Sequence, residues 1–164
     1  MDAIVAVDLA WGIGYRDDLL FRIKADLKRF KEMTSGQIVI LGRKTLATFP
    51  GGRPLPSRIN LVVSRNRSLE INGATVCHNR EEVLAAVARH PDKHVYVIGG
   101  SSIYREFLPD CHRVYVTRIH RQQQADTYFP NLDEMPAWQC VLTEPDLEEN
   151  GLVFNYRVYE KVDA

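Results

Sequence analysis

The sequence lacks the features that mark several large classes of protein. No apolar run approaches the ~20 residues that a membrane-spanning helix needs, and Met1–Ala6 has no basic export signal. The chain carries 21 basic and 21 acidic side chains, without the basic excess that is typical of nucleic-acid-binding proteins. We therefore expect a cytoplasmic protein that binds neither membranes nor nucleic acid.

Cysteine and histidine are scarce and scattered. The three cysteines, Cys77, Cys111 and Cys140, lie far apart, and among the five histidines only His90 and His94 have a spacing typical of metal ligands. Structural zinc sites need four ligands, usually from two such pairs, so no metal is expected. An odd number of cysteines without an export signal indicates reduced thiols. The G-x-G-x-x-G motif of the common Rossmann dinucleotide site is also absent.

Short apolar runs alternate with helical segments along most of the chain. Predicted strands cover Ala3–Val7, Ile38–Leu41, Ile59–Val63, Thr75–Cys77, Val95–Ile98, Val114–Ile119, Cys140–Thr143 and Val153–Glu160. Predicted helices cover Ala25–Thr34, a short stretch from Arg43, Glu81–Arg89 and Ser101 to about Leu108. The last two strands have no long helix between them, only an acidic stretch, 144–149, that we expect to be a solvated loop before a turn at Asn150–Gly151.

This alternation predicts one α/β domain over residues 1–164, with a three-layer architecture. Its sheet should have about eight strands, mainly parallel, with an antiparallel C-terminal strand and helices on both faces. Ligands of such sheets bind beyond the carboxyl ends of the strands.

Three strand ends carry residues suited to phosphate. They are Gly42–Thr45, Ser64–Arg67 and Gly99–Ser102, two of which run directly into helices. A helix N-terminus offers free N–H groups to an anion, and glycine lets a ligand approach the backbone closely. Each pattern alone is typical of an ordinary turn or a solvated rim, but three at one sheet edge favour a dinucleotide.

Asp26 is the acidic residue that stands out. It lies in the first turn of a helix whose apolar face includes Leu27 and Phe30. One interpretation is a carboxylate that caps the helix. The other is a carboxylate beside an apolar wall, held to pair with a cationic or amidine-like ligand edge, with a pKa that burial would raise.

An ordered set of short motifs resembles the bacterial dihydrofolate reductase family over nearly the whole chain. The matching stretches are Ile13–Gly14, Ala25–Leu27 with Phe30–Lys31, Gly42–Thr45, Gly52–Pro56 with Arg58 and Asn60, Val97–Gly100 with Ile103–Tyr104, Val116–Thr117 with Ile119, and Asp126–Thr127 with Phe129–Pro130. The resemblance implies reduction of dihydrofolate by NADPH, binding of antifolate inhibitors, and a monomer.

The resemblance also implies roles for substrate-side residues. Asp26 would hold the 2-amino and N3 side of the pterin with support from Thr117, and Arg58 would grip the glutamate α-carboxylate. Catalytic positions would be Asp26, Phe21 and Thr117. Substrate-binding positions would be Ile4, Val5, Ala6, Asp26, Leu27, Phe30, Lys31, Arg53, Leu55, Arg58, Ile98 and Thr117.

On the cofactor side, the resemblance implies a cis peptide between Gly99 and Gly100 and a mobile loop, residues 10–23, that closes over the nicotinamide. Asp126 would stabilise this loop. Cofactor-binding positions would be Ala6, Ile13, Gly14, Gly42, Arg43, Lys44, Thr45, Ser64, Arg65, Ile98, Gly99, Gly100, Ser101, Ser102, Ile103, Tyr104 and Asp126.

The chain departs from the family pattern at five positions. Leu20–Phe21 stands where many relatives have Pro-Trp, and Lys24, Ala125 and Ser102 replace a frequent Pro, Gly and Arg. Phe21 removes an indole N–H that can anchor a water, so we expect loop closure or proton supply to differ. Two other functions stay open: a reductase of a ribosylated pyrimidine in flavin synthesis, and a dinucleotide-binding module without catalysis.

Overall fold

The computed structural model describes residues 1–162, which form twelve strands and four helices. The strands are β1 Asp2–Val7, β2 Gly12–Tyr15, β3 Asp18–Leu19, β4 Ile38–Gly42, β5 Ile59–Val63, β6 Ala74–Cys77, β7 Val95–Gly99, β8 Arg113–Ile119, β9 Thr127–Tyr128, β10 Trp138–Thr143, β11 Leu147–Glu149 and β12 Leu152–Lys161. The helices are α1 Lys24–Thr34, α2 Arg43–Ala47, α3 Arg80–Ala88 and α4 Ser101–Phe107. Short 3-10 turns cover Pro50–Gly52, Leu108–Asp110 and Leu132–Glu134.

The main sheet has the order β10-β12-β8-β1-β7-β4-β5-β6, with β11 paired to β12. The strands from β8 to β6 along this order run parallel, whereas β12 pairs antiparallel with β8 and β10. The predicted α/β sheet with an antiparallel C-terminal end is therefore confirmed. Ala6 of β1 is paired with Thr117 of β8, and Leu41 of β4 is paired with Gly99 of β7. Both pairs lie near the carboxyl ends of the parallel strands.

Each face of the sheet is covered by helices because alternate side chains of the strands are apolar on both faces. On one face, Val83 of α3 and Phe107 of α4 pack in the same cluster as Val97. On the other face, Phe30 of α1 and Leu46 of α2 pack with Leu41. The helices thereby place their N-termini at the carboxyl edge of the parallel strands.

Helix α1 ends where its sequence predicts. Gly36 has a φ of +79° directly after the capping residue Ser35, a conformation that glycine adopts without strain. At the other end, the capping position is held by Ile23, whose side chain accepts no hydrogen bond. The free N–H groups in the first turn of α1 must therefore be paired with acceptors from other parts of the fold.

Residues 10–23, the expected covering loop, contain β2 and β3, which join β9 in a separate three-stranded sheet. The prediction of a solvated loop over 144–149 is wrong in part, because Leu147–Glu149 form β11, which makes a hairpin with β12. These strands have two to four residues, too few for an alternating pattern to show. Within residues 1–162, no helix combines the length and apolar character required to cross a bilayer.

Candidate active site

A cleft of about 540 Å³ opens at the carboxyl edge of the parallel strands. It lies between the first turns of α1, α2 and α4 and the segment that holds β2 and β3. Predicted site residues that line it are Val5, Ala6, Ile13, Gly14, Phe21, Asp26, Leu27, Gly42, Arg43, Lys44, Thr45, Ile98, Gly99, Gly100, Ser101, Ser102, Ile103 and Tyr104. Most predicted positions are thus brought together in one cavity.

Asp26 is the carboxylate of the cleft. Its Oδ1 accepts a hydrogen bond of 2.6 Å from Thr117 Oγ1, on a residue that is buried in the sheet centre. Burial raises the pKa of Asp26 above its ordinary value, whereas the Thr117 hydrogen bond and the nearby Arg29 charge oppose this rise. A partly buried carboxyl with a raised pKa can hold a proton close to the pH at which enzymes work.

The structure does not support a capping role for Asp26. The N–H groups of Lys24 and Ala25 donate instead to the two carboxylate oxygens of Glu149, at 2.6 and 3.1 Å. The Asp26 carboxylate is therefore free to face the cleft. Sequence analysis missed Glu149 because it lies 125 positions after Lys24, and no local pattern links the two.

An apolar wall surrounds Asp26. Val5 and Ile98 are buried at strand ends, and Leu27 on α1 keeps 45% of its surface exposed at the mouth. The predicted wall residues Ile4, Phe30 and Leu55 do not line this cavity, and each packs instead against the buried cluster that contains Leu41 and Ile98. This combination suits a flat apolar ligand with one polar edge.

Arg58 lies next to Phe30, with its guanidinium carbon 6.0 Å from the ring centroid. Its Nε is buried and has no hydrogen-bond partner within residues 1–162, and burial lowers the pKa of the guanidinium. The residue as a whole is only partly buried, and a guanidinium is the group that binds carboxylates through two parallel hydrogen bonds. The other two predicted basic contacts, Lys31 and Arg53, are exposed.

The N-termini of α2 and α4 lie side by side because Leu41 of β4 pairs with Gly99 of β7. Neither Gly42 nor Gly100, the capping residues, supplies a side-chain acceptor. A Cβ on Gly42 would come within 3.1 Å of Ile103 Cγ1. The close contact between the start of α2 and Ile103 of α4 therefore depends on glycine at position 42. The bond between Gly99 and Gly100 is cis, as the resemblance implies.

Ser64 and Arg65 lie beside the cleft at the end of β5, one residue beyond Val63, which lines it. The Ser64 carbonyl accepts a hydrogen bond of 2.8 Å from His78 Nδ1, and Ser64 Oγ accepts one of 3.2 Å from Asn66 N–H. Arg65 is exposed. The strand end is therefore organised by its own contacts, with a basic side chain at its rim.

The segment that covers the cleft is fixed by two carboxylates. Asp126 Oδ2 accepts from Arg16 N–H at 2.9 Å, and its own N–H donates to the Gly14 carbonyl. Asp8, which is fully buried, accepts from Gly12 N–H at 2.8 Å. Asp126 thus contacts the expected loop, whereas Asp8 was missed, since an acidic residue after a strand is usually solvated. Among residues 1–162 there is no cluster of His, Cys, Asp or Glu that could bind a metal.

Comparisons with known proteins match the whole chain. The family model described as dihydrofolate reductase matches residues 1–161. The dihydrofolate reductase of Bacillus subtilis is 37% identical over 163 residues, which cover 98% of this chain and 94% of that protein. The mouse enzyme is 34% identical over 184 residues, covering 99% and 98%.

A solved structure gives the same result in three dimensions. The dihydrofolate reductase from Enterococcus faecalis, complexed with NADP(H) and RAB-propyl, superposes with a TM-score of 0.87 at 34% identity. The match covers 99% of this chain and 96% of that one.

Proposed function

The chain belongs to the dihydrofolate reductase family, and we propose that it reduces 7,8-dihydrofolate to 5,6,7,8-tetrahydrofolate with NADPH. The observation that carries this proposal is the Asp26 carboxyl, hydrogen-bonded to Thr117 at 2.6 Å inside a cleft with an apolar wall. The related Enterococcus faecalis enzyme was solved with NADP(H), which supports the choice of cofactor.

Asp26 and Thr117 recognise the polar edge of the pterin. The carboxylate accepts from the 2-amino group and the N3 side, which together form a two-donor edge. Its raised pKa favours a proton in this part of the cleft, and the carboxylate stabilises the protonated, reactive pterin electrostatically. Val5, Ala6, Leu27 and Ile98 pack against the rings, and Phe30 and Leu55 extend this wall towards Arg58.

Arg58 binds the α-carboxylate of the glutamate tail. The place of this guanidinium beside Phe30 supports the role, because its charged, planar fork matches a carboxylate. Lys31 and Arg53 lie at exposed positions, where they add long-range attraction for the anionic tail.

NADPH fits the glycine-lined part of the cleft. The N-termini of α2 and α4 lie next to each other at this edge of the sheet, where their free N–H groups suit a pyrophosphate. Arg43, Lys44 and Thr45 would hold the phosphates, with Ser64 and Arg65 near the 2′-phosphate. Ile13, Gly14, Ser101, Ser102, Ile103 and Tyr104 would complete the binding surface, while Asp126 fixes the covering segment.

When bound, NADPH would supply the hydride that reduces C6 of the pterin, with a proton added at N5. The protein orients the two rings and excludes bulk water. The segment with β2 and β3 covers the cleft. Hydrogen bonds from its backbone N–H groups to the carboxylates of Asp8 and Asp126 hold it in this position. Phe21 lines the cavity at the end of this segment, close to the reacting rings.

Loss of NADPH absorbance on mixing with dihydrofolate tests the proposal. We expect turnover faster with NADPH than with NADH, abolished by a diaminopyrimidine antifolate. Asp26→Asn should lower the rate at neutral pH by ~10²-fold or more and recover partly in acid. Glu32→Gln, on the exposed side of the same helix, is the matched control and should retain activity.

Tight NADPH binding without turnover of dihydrofolate would contradict this function. It would favour the ribosylated-pyrimidine reductase or the module without catalysis instead. We further propose that the chain is a single domain over residues 1–164 and acts as a cytoplasmic monomer. Light scattering of the purified protein would test the oligomeric state, with the mass of one 18.8 kDa chain as the expected result.

A further inference from the structure

The hairpin of β11 and β12 contacts the start of helix α1. Glu149, the last residue of β11, accepts from Lys24 N–H through Oε2 at 2.6 Å and from Ala25 N–H through Oε1 at 3.1 Å. Ile23 holds the capping position of α1, and its apolar side chain cannot accept a hydrogen bond. A distant residue therefore supplies the cap that the local sequence lacks.

This cap matters because Asp26 lies in the same helical turn. Asp26 is the acidic residue of the first turn of α1, and free N–H groups at a helix N-terminus attract such a carboxylate. The Asp26 carboxylate instead accepts a hydrogen bond from Thr117, which is buried on β8. Glu149 occupies the N–H groups that would otherwise compete with Thr117 for Asp26.

We propose that Glu149 is a positioning residue for the reaction: by capping α1 from the C-terminal hairpin, it keeps the Asp26 carboxylate directed into the cleft. This inference rests on the proposed function only for its catalytic consequence. The structural part, a cap that sets the surroundings of Asp26, stands on the two hydrogen bonds.

The charge of Glu149 acts in the same direction as burial. Both raise the pKa of Asp26, against the lowering effects of the Thr117 hydrogen bond and Arg29. The charged or titratable groups around Asp26, by element, are Arg29 on α1, Tyr104 on α4, Glu149 on β11 and Tyr156 on β12. Burial raises the pKa of both tyrosines, which stay neutral. Glu149 is therefore the negative charge whose removal should lower the pKa of Asp26.

Glu149→Gln and Glu149→Ala separate the charge from the cap. Glutamine keeps one acceptor oxygen for the helix, while alanine removes both. Glu148→Gln is the matched control, since Glu148 is the exposed neighbour on the same strand. Thermal unfolding of each variant checks that the fold is retained.

The direct readout is the titration of the Asp26 carboxyl carbon by ¹³C NMR. We expect a lower midpoint in both Glu149 variants than in wild type, and no change in Glu148→Gln. In single-turnover hydride transfer, both Glu149 variants should be about two- to fivefold slower than wild type above the midpoint. Only Glu149→Ala should also lose rate at the acidic plateau, because it alone frees both N–H groups.

An Asp26 midpoint that is the same in wild type and both Glu149 variants would overturn the inference, as would an equal shift in Glu148→Gln. Retention of the full acidic plateau in Glu149→Ala would overturn the positioning role. If wild-type protein fails to reduce dihydrofolate, the proposed function fails, while the NMR titration still decides whether Glu149 controls Asp26.

Discussion

Thr117 Oγ1 donates a hydrogen bond of 2.6 Å to Asp26 Oδ1, across 91 positions of sequence. Thr117 is almost fully buried and pairs with Ala6 in the centre of the sheet. Asp26 lies on a surface helix and keeps some exposure to the cleft. The contact therefore fixes a carboxylate on a helix to the most rigid part of the fold, which is how the site gains its precision.

Thr117→Val should impair hydride transfer by removing this donor without changing the side-chain volume much. The hydrogen bond lowers the pKa of Asp26, so its loss should raise that pKa and move the pH–rate profile to higher pH. We expect the acidic plateau, where Asp26 is protonated, to fall about fivefold, because a hydrogen bond between neutral groups contributes ~1 kcal/mol. Single-turnover measurements over a range of pH would check both effects.

Thr117→Ser serves as the control, since it keeps the hydroxyl and removes only a methyl group. It should retain most of the plateau and the wild-type midpoint. Equal behaviour of the serine and valine variants would show that the hydroxyl has no part in the reaction.

Asp26→Asn should make the folded protein more stable at alkaline pH. The folded-state pKa of Asp26 is raised, chiefly by burial, from 3.8, so the folded protein keeps this proton to a higher pH than the unfolded chain. The free energy of unfolding then falls as pH rises from the unfolded pKa through the folded pKa, and the deficit is complete above it. Asparagine carries no charge and removes this deficit.

We expect the variant to unfold about 2–4 °C higher than wild type at pH 8, the change that ~1 kcal/mol produces in a domain of this size. Solvent screening of the partly exposed carboxyl keeps the effect from being larger. The difference should disappear when calorimetry is repeated below the unfolded pKa. A variant less stable than wild type at pH 8 would mean that the ionised carboxylate stabilises the fold.

Arg58→Ala should weaken binding of dihydrofolate with little effect on the hydride step. The lost charge-assisted contact to the glutamate tail corresponds to an increase in KM of roughly 10- to 100-fold. A dihydropterin without the glutamate tail provides the internal comparison, and its KM should not change. Arg53→Ala, at an exposed position, should raise KM only slightly. Equal losses with both substrates would assign Arg58 to packing against Phe30.

The main sheet could be predicted from sequence because most of its strands are continuous apolar runs, which can be recognised within a short stretch of the chain. The strands at Ile59–Val63 and Ile38–Gly42, for example, have the predicted bounds within one residue. Asp26 was ambiguous, since a first-turn acid is consistent with either a cap or a functional carboxylate. The structure resolves this through Glu149, which takes the capping role from the far end of the chain.

The covering segment could not be predicted for a related reason. β2, β3 and β9 are held by pairing between distant short strands and by Asp8 and Asp126. None of these contacts leaves a local periodic pattern. The sequence predicted most of the residues that line the cleft and the role of Asp126, but it did not predict the contacts of Asp8 and Glu149.

Phe21→Trp should change the rate and pH dependence of hydride transfer. Phe21 lines the cleft and packs against the apolar cluster around Ile119 and Phe154. Because its ring has no polar atom, it offers no hydrogen-bond donor to a water near Asp26. An indole at this position adds an N–H and fills more of the cavity beside Ile23. Because either effect alters proton supply or closure of the covering segment, we expect a shifted pH–rate profile and a changed single-turnover rate.

Phe21→Leu is the control, since it changes side-chain volume without adding a donor. Hydride transfer in Phe21→Trp that matches wild type in both rate and pH dependence would show that the aromatic residue here has no influence on the chemical step.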